Sequence, residues 1–434
     1  MLRAFLNSFR VPDLRAKILF TLFIVAVYRF GSWVPVPVVD VGFISDELER
    51  QGSQGFVQVI SLFSGGALTR FSVFALGIMP YITSSIIMQL LTVVIPKLQQ
   101  WQEQGEAGTK KITQWTRYVT VVLALLQATG IVFLFNNPAA VGLSRSIFPN
   151  CPGDQCTFAA PNILLIVLVM TAGTATIMWL GELITQRGVG NGMSILIFTS
   201  VISTLPFEGS AILRAGGTLK FSVIVLIGVA IVVAVVYMDQ GQRRVPVQYA
   251  KRVVGRKMTS GASTYLPLKV NQAGVIPIIF ATSVMYFPVL IASVYTATWF
   301  QNFVNNYLQN PASIVYMALL ASLIVFFAYF YTAIQFDPTR TADNLRKNGG
   351  FIPGIRPGPP TADYLNAILV RITLPGSLFL AAIALIPTIT LAVWNIQQFP
   401  FGGTSILIAV GVALETMKQI ESQLMMRHYE GFLQ

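Results

Sequence analysis

The chain has 434 residues, of which 54% are hydrophobic and only 11% charged, against about 25% charged residues in a soluble globule. Stretches of about twenty apolar residues recur along it, and a bilayer is the solvent that accepts such a surface, so the composition excludes an ordinary soluble protein. The net charge of +12 fits either nucleic acid or a membrane face, and the placement of the basic residues decides between them.

The N-terminal segment 1–17 carries Arg3, Arg10, Arg15 and Lys17 and lacks a small-residue cleavage site, so it reads as an anchor rather than a removed signal peptide. Apolar runs then predict spans at 18–35, 71–95, 118–136, 162–180, 192–206, 221–238, 271–296, 312–336, 372–394 and 403–420. The tail 421–434 follows. The fifth run is short and ends at Pro206.

Alternating these ten spans leaves Arg50, Arg145, Arg214 and Lys220 in the loops opposite the termini. Arg29 and Arg70 fall at span ends, and the other 23 of 29 basic residues lie with the termini. By the positive-inside rule that side is cytoplasmic. A missed span would scramble the asymmetry.

Between the first two spans, residues 56–67 are apolar but too short to cross about 30 Å of hydrocarbon. Composition alone favours a fixed outer-surface helix there, although Gly65-Gly66 supplies the break that a movable segment needs. Cys151 and Cys156, at CxxxxC spacing in an outer loop, suit a disulfide or two free thiols.

Five spans per half make any internal duplication an inverted one, with halves at 18–206 and 207–420. Residues 77–82 (GIMPYI) and 274–279 (GVIPII) share the pattern G-[IV]-[MI]-P-x-I at matching places. Proline inside a span removes a backbone hydrogen bond, so Pro80 and Pro277 are expected to kink their helices. Two long cytoplasmic loops, 239–270 and 337–371, carry paired basic residues suited to RNA phosphates or an acidic protein surface, although positive-inside bias alone also produces basic loops.

The single histidine, His428, leaves no partner for a histidine triad, metal site or proton relay. No GxxxxGK[ST] phosphate loop and no GxSxG elbow is present. The spans carry almost no charge: Arg29, Glu182 and Glu415 lie near span ends, within snorkelling reach of the interface. A hydrophobic constriction fits this better than an ion-coupled transporter, and an intramembrane protease lacks its nucleophile and partner.

The segments FSGGALTRFSVFALGIMPYITSSIIMQLLTV, MWLGELITQRGVGNGMSI, GQRRVPVQYAKR, STYLPLKVNQAGVIP, DPTRTADNLRKNGGFIPGIRPG and FGGTSILI closely resemble the SecY family of bacterial protein-conducting channels, from about residue 10 to the C-terminus. The resemblance implies an all-α fold of ten transmembrane helices in two inverted five-helix halves around an hourglass pore. It implies a channel for unfolded polypeptides in the bacterial plasma membrane, without cofactor, metal or catalysis of its own. Carried over, an apolar pore ring falls on Ile78, Ile82, Ile197, Ile279 and Ile408. The pore plug falls on 56–67, including Phe56, Ile60, Leu62, Phe63, Ser64, Gly65 and Gly66, which reverses the static-helix reading. The lateral gate, between spans two and three and spans seven and eight, carries Thr83, Gln127 and Asn271. Docking of the SecA ATPase or the ribosome falls on Arg243, Arg244, Lys251, Arg252, Arg256, Lys257 and Arg356. Partners implied are SecE, usually SecG, unfolded preproteins with their signal peptides, and lipid. The CxxxxC loop is a departure from the family.

Overall fold

The structure, a computed structural model, describes residues 9, 11–39, 41–42, 64–136, 160–249, 252–254, 257–259, 263–294, 298–308, 313–394 and 403–430. The first described helix, α1 (Pro12–Gly31), opens with Pro12 and Asp13 in its first turn, where a missing N–H and a negative charge both suit the helix N-terminus. A run of turns from Gly65 to Ile78 precedes α2 (Met79–Val94), so the second span becomes helical eight residues later than its apolar run. Ile95 is extended before Pro96, as prolines require of their predecessor. The chain there bends by 100° into α3 (Pro96–Glu103).

Helices α4 (Glu106–Asn136) and α5 (Ala160–Arg187) follow, both longer than their predicted spans. In α6 (Gly192–Gln240) the Asn191 side chain accepts from the N–H groups of Met193 and Ser194 as N-cap. The predicted outer loop 207–220 is helical except at Gly217, whose φ of 72° breaks the helix between spans five and six. Pro206 lies inside the helix rather than ending it.

The predicted loop 239–270 is instead a sheet. Strands β1 (Gln242–Tyr249) and β4 (Ser263–Lys269) pair antiparallel, with β2 (Arg252–Val254) and β3 (Lys257–Thr259) as a smaller hairpin between them. Beyond them come α7 (Ile276–Val294), α8 (Thr298–Phe303), α9 (Ile314–Gln335), α10 (Pro338–Lys347), β5 (Gly350–Phe351), α11 (Pro359–Trp394) and α12 (Gly403–Glu430). The loop 337–371 thus contributes α10, the start of α11 and β5. The last of these pairs with β1 and fuses both loops into one sheet, in the order β4-β1-β5. Val245 and Val247 alternate inward on β1 and pack with Leu268, Ile352, Leu365 and Leu369, the period-two burial of a half-covered sheet.

A helix lies within each of the ten predicted spans. Among the described residues five stretches are by themselves long and apolar enough to cross a bilayer, and α2 with α3 makes a sixth if the bent pair is one span. The protein is a multi-pass membrane protein. Its helices gather in two groups: α1, α2, α4 and α5 pack on one another, as do α7, α9 and α11. α6 meets α12, and α7 reaches both α4 and α2. Apolar clusters fill each group, one around Phe71, Ile131, Phe135 and Met170, another around Met285, Ile324, Leu380 and Ile383.

Candidate functional site

A third cluster draws on both groups. It contains Ile78 at the start of α2, Ile197 on α6, Ile279 on α7 and Ile408 on α12, all buried, with Ile82 of α2 packed against them. Four segments spread over 330 residues of chain deliver five isoleucines to one place. These side chains offer no hydrogen-bond donor or acceptor. They pack against one another, and can pack around another chain, without binding it specifically.

The repeated motif explains how two of the four segments arrive. Gly77 and Gly274 both have left-handed backbones, φ 57° and 61°, a region that glycine enters without a Cβ penalty. Nothing lies within 4 Å of a Cβ placed on Gly274, so backbone conformation rather than crowding selects glycine there. In both copies the residue after the glycine then accepts the first hydrogen bonds of the turn. Ile78 O receives the N–H of Tyr81 and Ile82, and Val275 O receives that of Ile278 and Ile279. Pro80 and Pro277 are each the second residue of their helices. This corrects the expected kink: in the first turn the missing N–H has no intrahelical partner to lose.

Of the expected plug, Phe56, Ile60, Leu62 and Phe63 lie outside the described residues. Ser64 is fully buried, and its hydroxyl accepts the N–H of Leu68 at 3.2 Å. Gly65, at φ 65°, is wedged so closely on α6 that a Cβ would stand 3.1 Å from Ser200 Cα. Arg29 of α1 is hydrogen-bonded within the protein: its Nη1 donates to the Gly65 carbonyl at 2.9 Å and to Ser203 Oγ at 3.1 Å.

The expected gate residues do not bond to one another. Thr83 donates to the Met79 carbonyl of its own helix at 2.9 Å. Gln127 is buried on α4 and Asn271 half-buried in the turn before α7. Among the described residues no hydrogen bond joins the three. Two polar links missed in the sequence tie α2 to α4 and α4 to α5. Ser84 donates to the Thr116 carbonyl at 2.7 Å, and Arg117 grips Glu182 with two bonds of 2.7 Å. The signal for the second was Glu182 itself, a carboxylate within an apolar helix, which is paired with Arg117.

The family model for SecY matches residues 72–417. The chain belongs to the SecY family. "Protein translocase subunit SecY" of Streptomyces coelicolor is 53% identical over 447 residues, with all of both chains covered, and its namesake from Mycobacterium bovis is 51% identical over 446 residues, again with full coverage. Among solved structures, one described as a protein-conducting channel is similar with a TM-score of 0.65 at 18% identity, covering 94% of this chain and 92% of that one. Sec61 in a canine ribosome-channel complex is similar with a TM-score of 0.60 at 16% identity, covering 96% of each. The fold is therefore that of a SecY/Sec61 channel.

In this SecY-family fold the basic sheet stands apart from the isoleucine cluster. Arg243 and Arg244 are exposed on β1, and Arg356 is exposed after Gly354, whose φ is 83°. Arg252 and Lys257 lie on the paired strands β2 and β3, whereas Lys251 and Arg256 lie outside the described residues. Asp239, at the foot of the hairpin, is bound by Lys418 of α12 at 2.9 Å.

Proposed function

We propose that the chain conducts unfolded polypeptides through the ring formed by Ile78, Ile82, Ile197, Ile279 and Ile408, and releases hydrophobic segments into lipid between α2 and α4 on one side and α7 and α9 on the other. The observation that carries this is the meeting of five isoleucines from both helix groups in one apolar cluster. In a resting channel such a constriction excludes water and ions, and its uncharged branched side chains yield to a translocating chain of any sequence. The full-length relatives are named as protein translocase subunits, which supports this reading.

In this reading residues 56–67, with Ser64, Gly65 and Gly66 at their end, form the plug. Thr83, Gln127 and Asn271 line the gate, which parts when a signal helix gains more by entering lipid than the closed contacts hold. The halves are 18–206 and 207–420, both termini are cytoplasmic, and the membrane is the bacterial plasma membrane. SecE and SecG complete the channel. SecA or the ribosome docks on the basic sheet and supplies the energy, since the chain performs no catalysis of its own. A small-solute transporter is the competing class. It is disfavoured because the predicted spans carry little charge, and one of the few charges there, Glu182, is paired with Arg117.

Crosslinking tests the reading. A cysteine in place of Ile82 or Ile279, with Cys151 and Cys156 replaced, is expected to crosslink to a stalled export substrate in reconstituted membranes, while lipid-facing controls do not. Absence of crosslinks from a complex shown to be translocating rejects the ring as the path. Docking has its own test. Arg243→Glu with Arg244→Glu is expected to weaken SecA binding about tenfold at low salt, chiefly by slowing association. The difference shrinks at high salt, because these exposed charges are screened. Equal salt dependence of variant and unsubstituted channel places the docking surface elsewhere.

A further inference from the structure

We propose that Arg29 is the positioning residue that holds the resting conformation of the channel, by pinning the Gly65 carbonyl to the fifth span. The inference rests on the channel reading above. A guanidinium within a predicted span is costly unless its donors find partners. Those of Arg29 reach two separate elements, the Gly65 carbonyl before α2 and the Ser203 hydroxyl of α6.

The bonds continue into the helices on either side. Ser203 donates to the Ser200 carbonyl at 2.8 Å, and Ser200 donates to the Leu196 carbonyl at 2.9 Å. With its own hydrogen committed, the Ser200 hydroxyl accepts from Tyr28, 2.7 Å away. Tyr28 is fully buried and stacks on Phe74 with ring centroids 5.8 Å apart. So α1, the turns at 65–78 and the fifth span are joined at one point, by neighbouring residues of α1.

Two features make this a latch on the ring rather than general packing. First, the turns leaving Gly65 run through the buried Leu68, Phe71, Ala75 and Leu76 straight to Ile78, a ring residue. Ile197, another, lies on α6 less than two turns before Ser203. Moving residues 64–66 off α6 therefore shifts the approach to the ring, and it cannot happen while Arg29 holds the Gly65 carbonyl. Second, the acceptor is a backbone carbonyl at a glycine with no side chain between it and α6. The bond is charge-assisted and strong, yet it breaks without separating two full charges.

The test is the ion leak of resting proteoliposomes holding the complete translocase, expressed per intact complex and measured beside preprotein translocation in the same vesicles. Arg29→Met is expected to raise the leak about tenfold or more, the equivalent of one lost hydrogen bond to a charged group. Arg29→Lys, which keeps the charge and one donor direction, should restore most of the seal. Gly65→Ala keeps Arg29 but adds a Cβ that pushes on Ser200, and is expected to leak as well. Arg29→Met should still translocate. A resting leak unchanged in Gly65→Ala and in Arg29→Met, in vesicles that translocate, overturns the proposal. So does a leak in Arg29→Met that Arg29→Lys fails to reduce. Failure of the unsubstituted channel to translocate would instead overturn the channel reading.

Discussion

Replacing Ile279 by asparagine is expected to make the resting channel permeable to small ions. The side chain is 5% exposed and sits among Ile78, Ile197 and Ile408, none of which can satisfy an amide. An unpaired amide buried in apolar surroundings costs about 2 kcal/mol, and water entering the ring removes that cost. The ratio of wetted to dry ring then rises roughly thirtyfold. Ion flux through proteoliposomes without substrate measures it. Leu378→Asn, at an exposed position of α11 outside the isoleucine cluster, serves as control and should leave the seal intact. Equal leak from both variants would remove the special standing of the isoleucine cluster.

Removing one charge of the Arg117–Glu182 pair should destabilise the channel more than removing both. Two bonds of 2.7 Å join the third and fourth spans, and the side chains are 37% and 17% exposed. Exposed pairs are worth up to about 1 kcal/mol, and breaking a buried one costs about 3–5 kcal/mol because a lone charge is left behind. At this intermediate burial Glu182→Gln is expected to lose about 2 kcal/mol, read as a lower melting temperature of the detergent-solubilised channel. The double variant Arg117→Met, Glu182→Met should recover most of the loss, since no charge remains to be desolvated. A double variant as unstable as the single one would show that contact, not charge, is what the pair provides.

The spans were legible because about twenty apolar residues in a row have one stable home, and a helix does lie within each predicted span. Where helices start was not. The run 71–95 is mainly apolar, yet its first part is turns, with left-handed backbones at Phe71 and Gly77. Hydropathy is blind to φ. The same blindness made Pro80 and Pro277 look like kinks, although the motif itself was visible in both halves. The end of the fifth span was not legible either, since Pro206 lies within α6 and the helix breaks at Gly217.

The basic loops show a different limit. Val245 and Val247 alternate as in a strand, but β1 finds β4 some twenty residues away and β5 about a hundred residues away. Such pairing is non-local, and no window of sequence contains it.

The sequence by itself determined that this is a membrane protein of ten apolar segments with basic connections, and the resemblance carried by its motifs named the five isoleucines. Hydrophobic transfer is a local, additive property of composition, so it survives without a structure. Only the tertiary structure decided that those isoleucines meet, that Arg29 spends its donors on Gly65 and Ser203, and that Glu182 is held by Arg117. Each of these joins residues tens to hundreds of positions apart. Their partners are chosen by which helix faces lie within hydrogen-bonding or van der Waals reach, and the chain acquires that geometry only when its two groups of helices have packed.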